Sequence, residues 1–222
     1  VNDGSTIYTD SCTGSNCITN WDSTSETDGD YDIIATSYDK AGNSDTTQIA
    51  IIIDNTAPLI SNNYGPAGTW INSPQTATLN PTDVGGSGVD SVKYCEGTSC
   101  TPNIDLASPY QLNYNLDQDT IVRYQAWDSV GNPSLIGEYN VKMDLTAPTV
   151  DAGSGVITNI PITQYATVDA SISGVVSYLW TGPAEIIFVD NSVEDAQISA
   201  TIDGVYTIQL LVTDNAGNSA FD

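Results

Sequence analysis

Thr120-Ile121-Val122-Arg123-Tyr124-Gln125-Ala126-Trp127-Asp128-Ser129-Val130-Gly131-Asn132 reads as a β-strand that runs into a tight turn. β-Branched and aromatic residues fill the run. Thr120, Val122, Tyr124 and Ala126 recur at every second position, so they share one face of an extended chain, with Arg123 and Gln125 on the other. Such alternation belongs to an antiparallel sheet with one dry and one wet side. The closing D-x-x-G-N string puts Gly131 where a turn needs positive φ, between an Asp and an Asn whose side chains can bond the backbone.

The string recurs at Asp39 to Asn43, Asp128 to Asn132 and Asp214 to Asn218, at spacings of 89 and 86 residues. The same alternation precedes the other two copies, as Tyr31, Ile33, Ala35 and Ser37, and as Tyr206, Ile208, Leu210 and Val212. A second string, D-x-T-A-P, stands at Asp54 to Pro58 and at Asp144 to Pro148, 90 residues apart. Two independent markers with one period of this size indicate tandem small sandwiches. The expected fold is therefore all-β: three immunoglobulin-like antiparallel β-sandwiches over residues 1–54, 55–144 and 145–222.

In that frame D-x-x-G-N is the turn between strands F and G, built on Gly42, Gly131 and Gly217. Thr47 to Ile53 and Gly137 to Met143 are last strands, and T-A-P is a proline-stiffened linker. Tyr31 and Tyr206, each in Asp-Gly-x-Tyr, take the place of the tyrosine corner that opens strand F; the middle copy has Asp117 to Thr120 there instead. Few residues precede Cys12 and the chain reaches Asp222 just after the third turn. The first module is thus read as lacking its first strands and the third as lacking its last.

The four cysteines form two C-x4-C pairs, Cys12/Cys17 and Cys95/Cys100. Even number and repeated spacing favour disulfides formed outside a reducing compartment. A zinc site is the weaker alternative, because the pairs lie in different modules and the chain has no histidine. Bridges closing so short a loop protect a loop tip more than they hold a core. Against 28 acidic residues stand 4 basic ones, a net charge of −24. That surface repels nucleic acid and anionic membrane, and no run approaches the roughly 20 apolar residues of a spanning helix.

Residues 1–147, with D-x-A-G-N or its variant closing strand F and D-x-T-A-P between modules, resemble the surface Ig-like repeats of bacteria and archaea. Residues 148–222 resemble a PKD-type sandwich, on Val176 to Trp180, Gly204 to Ile208 and Thr213-Asp214, although Trp180-Thr181-Gly182-Pro183 replaces that family's W-D-F-G-D-G centre. The resemblance implies that Trp180 is the buried tryptophan of strand C. It also implies an extracellular, cell-surface segment of structural or adhesive character whose partners are neighbouring copies or further domains of the same array. Sheets with an open edge make strand donation between filament subunits a further expectation. The alternative is a glycan- or protein-binding accessory module of a secreted enzyme, with Tyr38 and Trp127 as candidate contact aromatics.

Loops at one end of such a sandwich meet the preceding linker, which brings Asp54, Asn55, Asp83 and Asp128 together as candidate calcium ligands at the first junction. Asp144, with Asp169 and Asp214, is the matching set at the second. The linker Asp54 to Pro58 is also similar to cadherin calcium linkers. No histidine, nucleophile elbow or phosphate loop is present, and acidic pairs are too abundant to single one out as catalytic, so no enzyme activity is expected.

Overall fold

The structure, a computed structural model, describes residues 10–14, 18–65, 68–156 and 160–222. In the first unit Gly29–Tyr38 (β1) and Ser44–Ile53 (β2) make one antiparallel hairpin, registered from Gly29 opposite Ile53 to Tyr38 opposite Ser44. Between them Asp39 Oδ1 accepts the Ala41 and Asn43 amides, each at 2.8 Å, and Asn43 Nδ2 donates to Asp39 Oδ2 at 2.6 Å. The turn reverses the chain through Gly42 at φ 89°, and its counterparts Gly131 and Gly217 sit at 100° and 90°. A side chain is strained in that region, which is why the motif carries glycine.

The second unit is a seven-stranded sandwich. Leu59–Asn62 (β3), Gln75–Thr82 (β4), Val89–Glu96 (β5), Ile104–Asp105 (β6), Gln111–Tyr114 (β7), Gln118–Asp128 (β8) and Gly137–Met143 (β9) divide into a sheet ordered β3-β4-β7 and a sheet ordered β6-β5-β8-β9. Ala77, Leu79 and Tyr114 of the first sheet pack on Val92, Val122, Tyr124, Ala126, Tyr139, Val141 and Met143 of the second. The alternation read along β8 is realised: Val122, Tyr124 and Ala126 are buried while Arg123 and Gln125 face outward. Inside this core Tyr114 Oη pairs with Tyr139 Oη at 2.6 Å and Asn62 Nδ2 donates to Tyr124 Oη at 2.8 Å, while the Tyr64 hydroxyl is buried without a partner.

In the third unit Thr149–Asp151 (β10) pairs Thr167–Asp169 (β12). Ile162–Gln164 (β11) and Ile186–Phe188 (β14) flank Ala196–Ala200 (β15), and Val175–Thr181 (β13) and Ser219–Phe221 (β17) flank Gln209–Asp214 (β16). Trp180 on β13 is fully buried with Ala152, Ala196, Leu210 and Val212, and its indole N–H donates to the Val193 and Glu194 carbonyls at 3.0 and 3.2 Å.

Two expectations need correction. The third unit does carry a last strand, because Ser219 to Phe221 pair with Thr213 to Leu211 as soon as the Gly217 turn has reversed the chain. In the first unit only Tyr31 of the inward-facing set is buried; Ile33, Ala35 and Ser37 are exposed. Among the described residues no second sheet lies over β1 and β2, and alternation buries a face only where an opposing layer exists.

Both tyrosine corners form. Tyr31 Oη donates to the Thr27 carbonyl at 2.8 Å and Tyr206 Oη to the Ile202 carbonyl at 2.9 Å, in each case four residues back. Cys95 and Cys100 are bridged, with Cys95 buried at the end of β5 and Arg123 Nη1 donating to the Cys100 carbonyl at 2.5 Å. Cys17 lies outside the described residues, and with it the expected Cys12–Cys17 bridge.

The opposed sheets of the second unit predict that Leu79→Ala, at a position 1 % exposed, lowers unfolding free energy by about 3 kcal/mol. Urea titration followed by tryptophan fluorescence checks this, and a loss below about 1 kcal/mol contradicts the packing described.

Candidate functional site at the repeat junctions

Each linker is gripped by carboxylates on both sides. At the first junction Asp54, 7 % exposed, turns its side chain into the second unit. Its Oδ1 accepts the Thr56 amide at 3.1 Å, and its Oδ2 accepts the Ser87 amide and hydroxyl, each at 2.6 Å. Gly86 allows the approach, because a Cβ there would lie 2.5 Å from Asp54 Oδ2. Asn132, last residue of the F–G turn, donates its side-chain N–H to the Asp54 carbonyl at 2.9 Å. From the first unit Asp28 Oδ1 accepts the Asn55 amide at 2.6 Å and its Oδ2 accepts the Thr56 hydroxyl. The linker therefore has no free hinge residue between Asp54 and Thr56.

The second junction repeats this arrangement almost atom for atom. Asp144, fully buried, accepts the Thr146 amide on Oδ1 at 3.1 Å, and the Ser171 hydroxyl and Ser173 amide on Oδ2 at 2.5 and 2.9 Å. Asn218 Nδ2 donates to the Asp144 carbonyl at 2.8 Å. Asp117 accepts the Leu145 amide on Oδ1 and the Thr146 hydroxyl on Oδ2, both at 2.5 Å. Asp117 thus takes in the middle repeat the place that Asp28 holds ahead of Tyr31 in the first.

An unpaired buried charge is strongly destabilising, so these carboxylates need the donors around them. Burial works to raise the Asp54 pKa, but the Ser87 hydroxyl and amide and the Thr56 amide outweigh it and hold the group below the ordinary carboxylate value. For Asp144 burial again acts upward and is overcome by Ser171, Ser173 and Thr146.

Of the expected ligand set, the structure brings Asp54, Asp83 and Asp128 together, with one carboxylate oxygen from each within 4.8 Å of the others. Among the described residues they are the one such group. Asp83 Oδ2 accepts the Gly88 amide at 2.7 Å, while its Oδ1 is buried without a hydrogen-bond partner. A carboxylate oxygen already accepting one N–H retains a second lone pair, so the donor set suits a hard cation. Asn55 does not join: its amide points back into the first unit and donates to the Ser23 and Glu26 carbonyls at 2.9 and 3.1 Å. Asp144 belongs to the other junction, where the third carboxylate is missing because Asp169 is exposed at the end of β12. Asp214 closes its own turn, accepting the Ala216 and Asn218 amides at 2.9 Å, as Asp128 does with the Val130, Gly131 and Asn132 amides, so the two junctions differ in the third carboxylate and not in the turn.

The sequence marks Asp28 and Asp117 only as corner residues ahead of strand F, and nothing in it singles out Ser87 or Ser173 as donors to the linker aspartates. Asp28 and Asp117 are 89 residues apart, the same offset as the F–G turns, and Asp83 to Gly88 and Asp169 to Gly174 share the form D-x-x-x-S-G. Trp127 borders an open groove of about 570 Å³ with Asp90, Lys93 and Asn103. The Lys93 ammonium sits 5.7 Å from the centre of the Trp127 ring and 3.3 Å from Asp105 Oδ1, so it caps the face a sugar would use. Tyr38 is 74 % exposed.

The family described as bacterial Ig-like domain matches residues 8–55 and 147–221, more than half of the chain. The chain belongs to the bacterial Ig-like domain family. No curated protein matches it. Among solved structures it is similar to the fibronectin(III)-like modules of Clostridium thermocellum CbhA, at 14 % identity over 74 % of this chain and 90 % of that one, TM-score 0.36. It is also similar to the D00–D0 domain of intimin, at 13 % identity over 73 % and 96 %, TM-score 0.39. A third is a tetra-tandem repeat from the extending region of a large adhesion protein, at 21 % identity over 92 % and 58 %, TM-score 0.39. At such distances these likenesses carry no argument about function.

In this bacterial Ig-like chain the lowered carboxyls set a pH dependence. Asp54 and Asp144 titrate below their unfolded value of 3.8, so the stability they contribute is complete above that pH and disappears as pH falls through the lower folded-state values. Melting temperature should hold steady at neutral pH and drop below about pH 4, and Asp144→Asn should flatten that acid limb. An unchanged acid limb in the variant would contradict the arrangement.

Proposed function

We propose that the chain is an extracellular, surface-borne segment of a tandem array, a spacer that holds its repeats in line and presents them for structural or adhesive use. The observation that carries this reading is the pair of matching junctions, each linker seated between a carboxylate of the preceding repeat, Asp28 or Asp117, and one of its own, Asp54 or Asp144, buried in the following repeat. Hydrogen bonds to charged acceptors are the stronger kind, and two sets per linker restrict bending. A net charge of −24 keeps such an array dispersed, and the Cys95–Cys100 bridge suits a compartment that preserves disulfides. The role is mechanical and not catalytic, since the carboxylates best placed for chemistry are engaged in holding the linkers. The PKD-type likeness of the third unit is part of the same proposal and is supported by Trp180, buried on β13.

Assembly with neighbours by strand donation extends the reading. It is supported by the first hairpin, where Ile33 and its cross-strand partner Ile49, on the same face as Tyr31, are 47 and 61 % exposed, a face that another sheet would cover. Small-angle scattering of the chain and of an Asp28→Ala/Asp117→Ala variant addresses both points. Rigid junctions predict a narrow distribution of lengths that broadens and shortens in the variant, and donated strands predict a mass above the monomer. Equal length distributions would overturn the spacer reading, and a monomeric mass would remove strand donation.

The Asp54, Asp83 and Asp128 group is proposed as a calcium site that tightens the first junction, supported by the partnerless Asp83 Oδ1. Calcium at a hundredfold excess over its dissociation constant should raise the melting temperature by about 10 °C, magnesium should not substitute, and Asp83→Asn should abolish the rise. A melting temperature insensitive to calcium and chelator removes the site.

A further inference from the structure

Three of the four basic residues are engaged within the middle repeat. Lys93 pairs with Asp105, Arg123 with Glu138 and Lys142 with Asp119, each directly across a strand pair. Lys40 is the fourth, exposed at the tip of the first F–G turn, and it has no acidic partner among the described residues. The matching positions of the other two turns, Ser129 and Asn215, are exposed in repeats that have a linker and a sandwich before them. A preceding repeat therefore leaves this place in the turn open to solvent.

The outer face of β5 and β8 carries a carboxylate in the same condition. Asp90 is the extra residue of a bulge, since Val89 stands opposite Asp128 and Ser91 opposite Trp127, and a bulge re-aims its side chain. It borders the groove of about 570 Å³ with Trp127, Lys93 and Asn103, and has no ion-pair partner among the described residues. The third repeat builds the same bulge on Val176, and puts Leu179 and Thr213 where the middle repeat has Lys93 and Trp127. The bulge thus belongs to the fold, whereas the charged and aromatic lining is particular to the middle repeat. Lys93 shows what that lining holds, an ammonium 5.7 Å from the indole centre and 3.3 Å from a carboxylate. Asp90 adds a second carboxylate to the same groove.

We propose that this groove receives the Lys40 turn of a second copy of the chain, with the Lys40 ammonium on the Asp90 carboxylate and its stem along Trp127, so that neighbouring chains associate side by side. Two copies that each carry a net charge of −24 repel in general, and contact is favoured where an unpaired cation of one meets an unpaired acid of the other. A chain does not fill its own groove. The ten residues of β1 carry the turn about 30 Å from the linker, whereas the groove adjoins Asp128 at the linker end of the middle repeat. A contact of this size is weak by itself and gains from many chains held close together on one surface. The inference goes beyond the spacer reading and is judged separately, on mass and not on length.

Sedimentation of the full chain over a range of concentrations at fixed ionic strength tests it. The chain should associate reversibly, and Lys40→Glu and Asp90→Lys should each weaken the association about tenfold. The charge-swapped double variant, and an equimolar mixture of the two single variants, should associate as the original chain does. Both positions are exposed, so the melting temperatures of the variants should stay unchanged. Strand donation through the first hairpin would also raise the mass, but it would be indifferent to both substitutions. A monomer at every concentration, association that either substitution leaves as strong as before, or a charge swap that restores nothing overturns the proposal.

Discussion

The aspartate that opens each linker governs how this chain is put together. Asp54 and Asp144 are buried, and a buried carboxylate is tolerated only where donors surround it. The donors are the serine-bearing loop of the following sandwich and the amide two residues on in the linker itself. Satisfying one charge therefore fixes the direction in which the chain enters the next repeat. The asparagine closing each F–G turn completes the seat by holding the aspartate's own carbonyl, so the turn, the loop and the linker form one unit.

From that seat the rest follows in both directions. Toward the following repeat, Pro58 is fully buried and the first strand leaves in fixed register with β4. Toward the preceding one, Asp28 and Asp117 stand just before the first residue of strand F, and the pairings of Gly29 with Ile53 and Gln118 with Met143 bring the linker amide opposite them. Strand register delivers the linker to the carboxylate, and the carboxylate holds the register at its end. The surplus of acid in the composition is thus partly architectural, supplying turn closure and linker anchoring that neutral side chains would perform more weakly.

The middle repeat shows how far local pattern can be trusted. Its β8 buries the residues that alternation selected, because β4 and β7 lie across from it. The first hairpin has the same alternation and buries only Tyr31, a difference that lies in the opposing layer and not in the strand. Asn55 shows the same limit for the site: its place beside Asp54 suggested a shared ligand role, yet its side chain leaves in the opposite direction, toward Ser23 and Glu26.

The repeat period, the all-β class, the F–G turns, the tyrosine corners and the convergence of Asp54, Asp83 and Asp128 are legible from residue order alone, since each depends on residue type at fixed short spacing or on where sandwich loops must lie. Packing and strand register settled that Asp28 and Asp117 grip the linkers, that Ser87 and Ser173 donate to the buried, charged aspartates, that Asp169 stays out of the second junction, and that the third repeat keeps a last strand. Those outcomes depend on which donor points at which acceptor across 27 to 33 residues of chain, and side-chain direction is set by packing and register, not by position along the sequence.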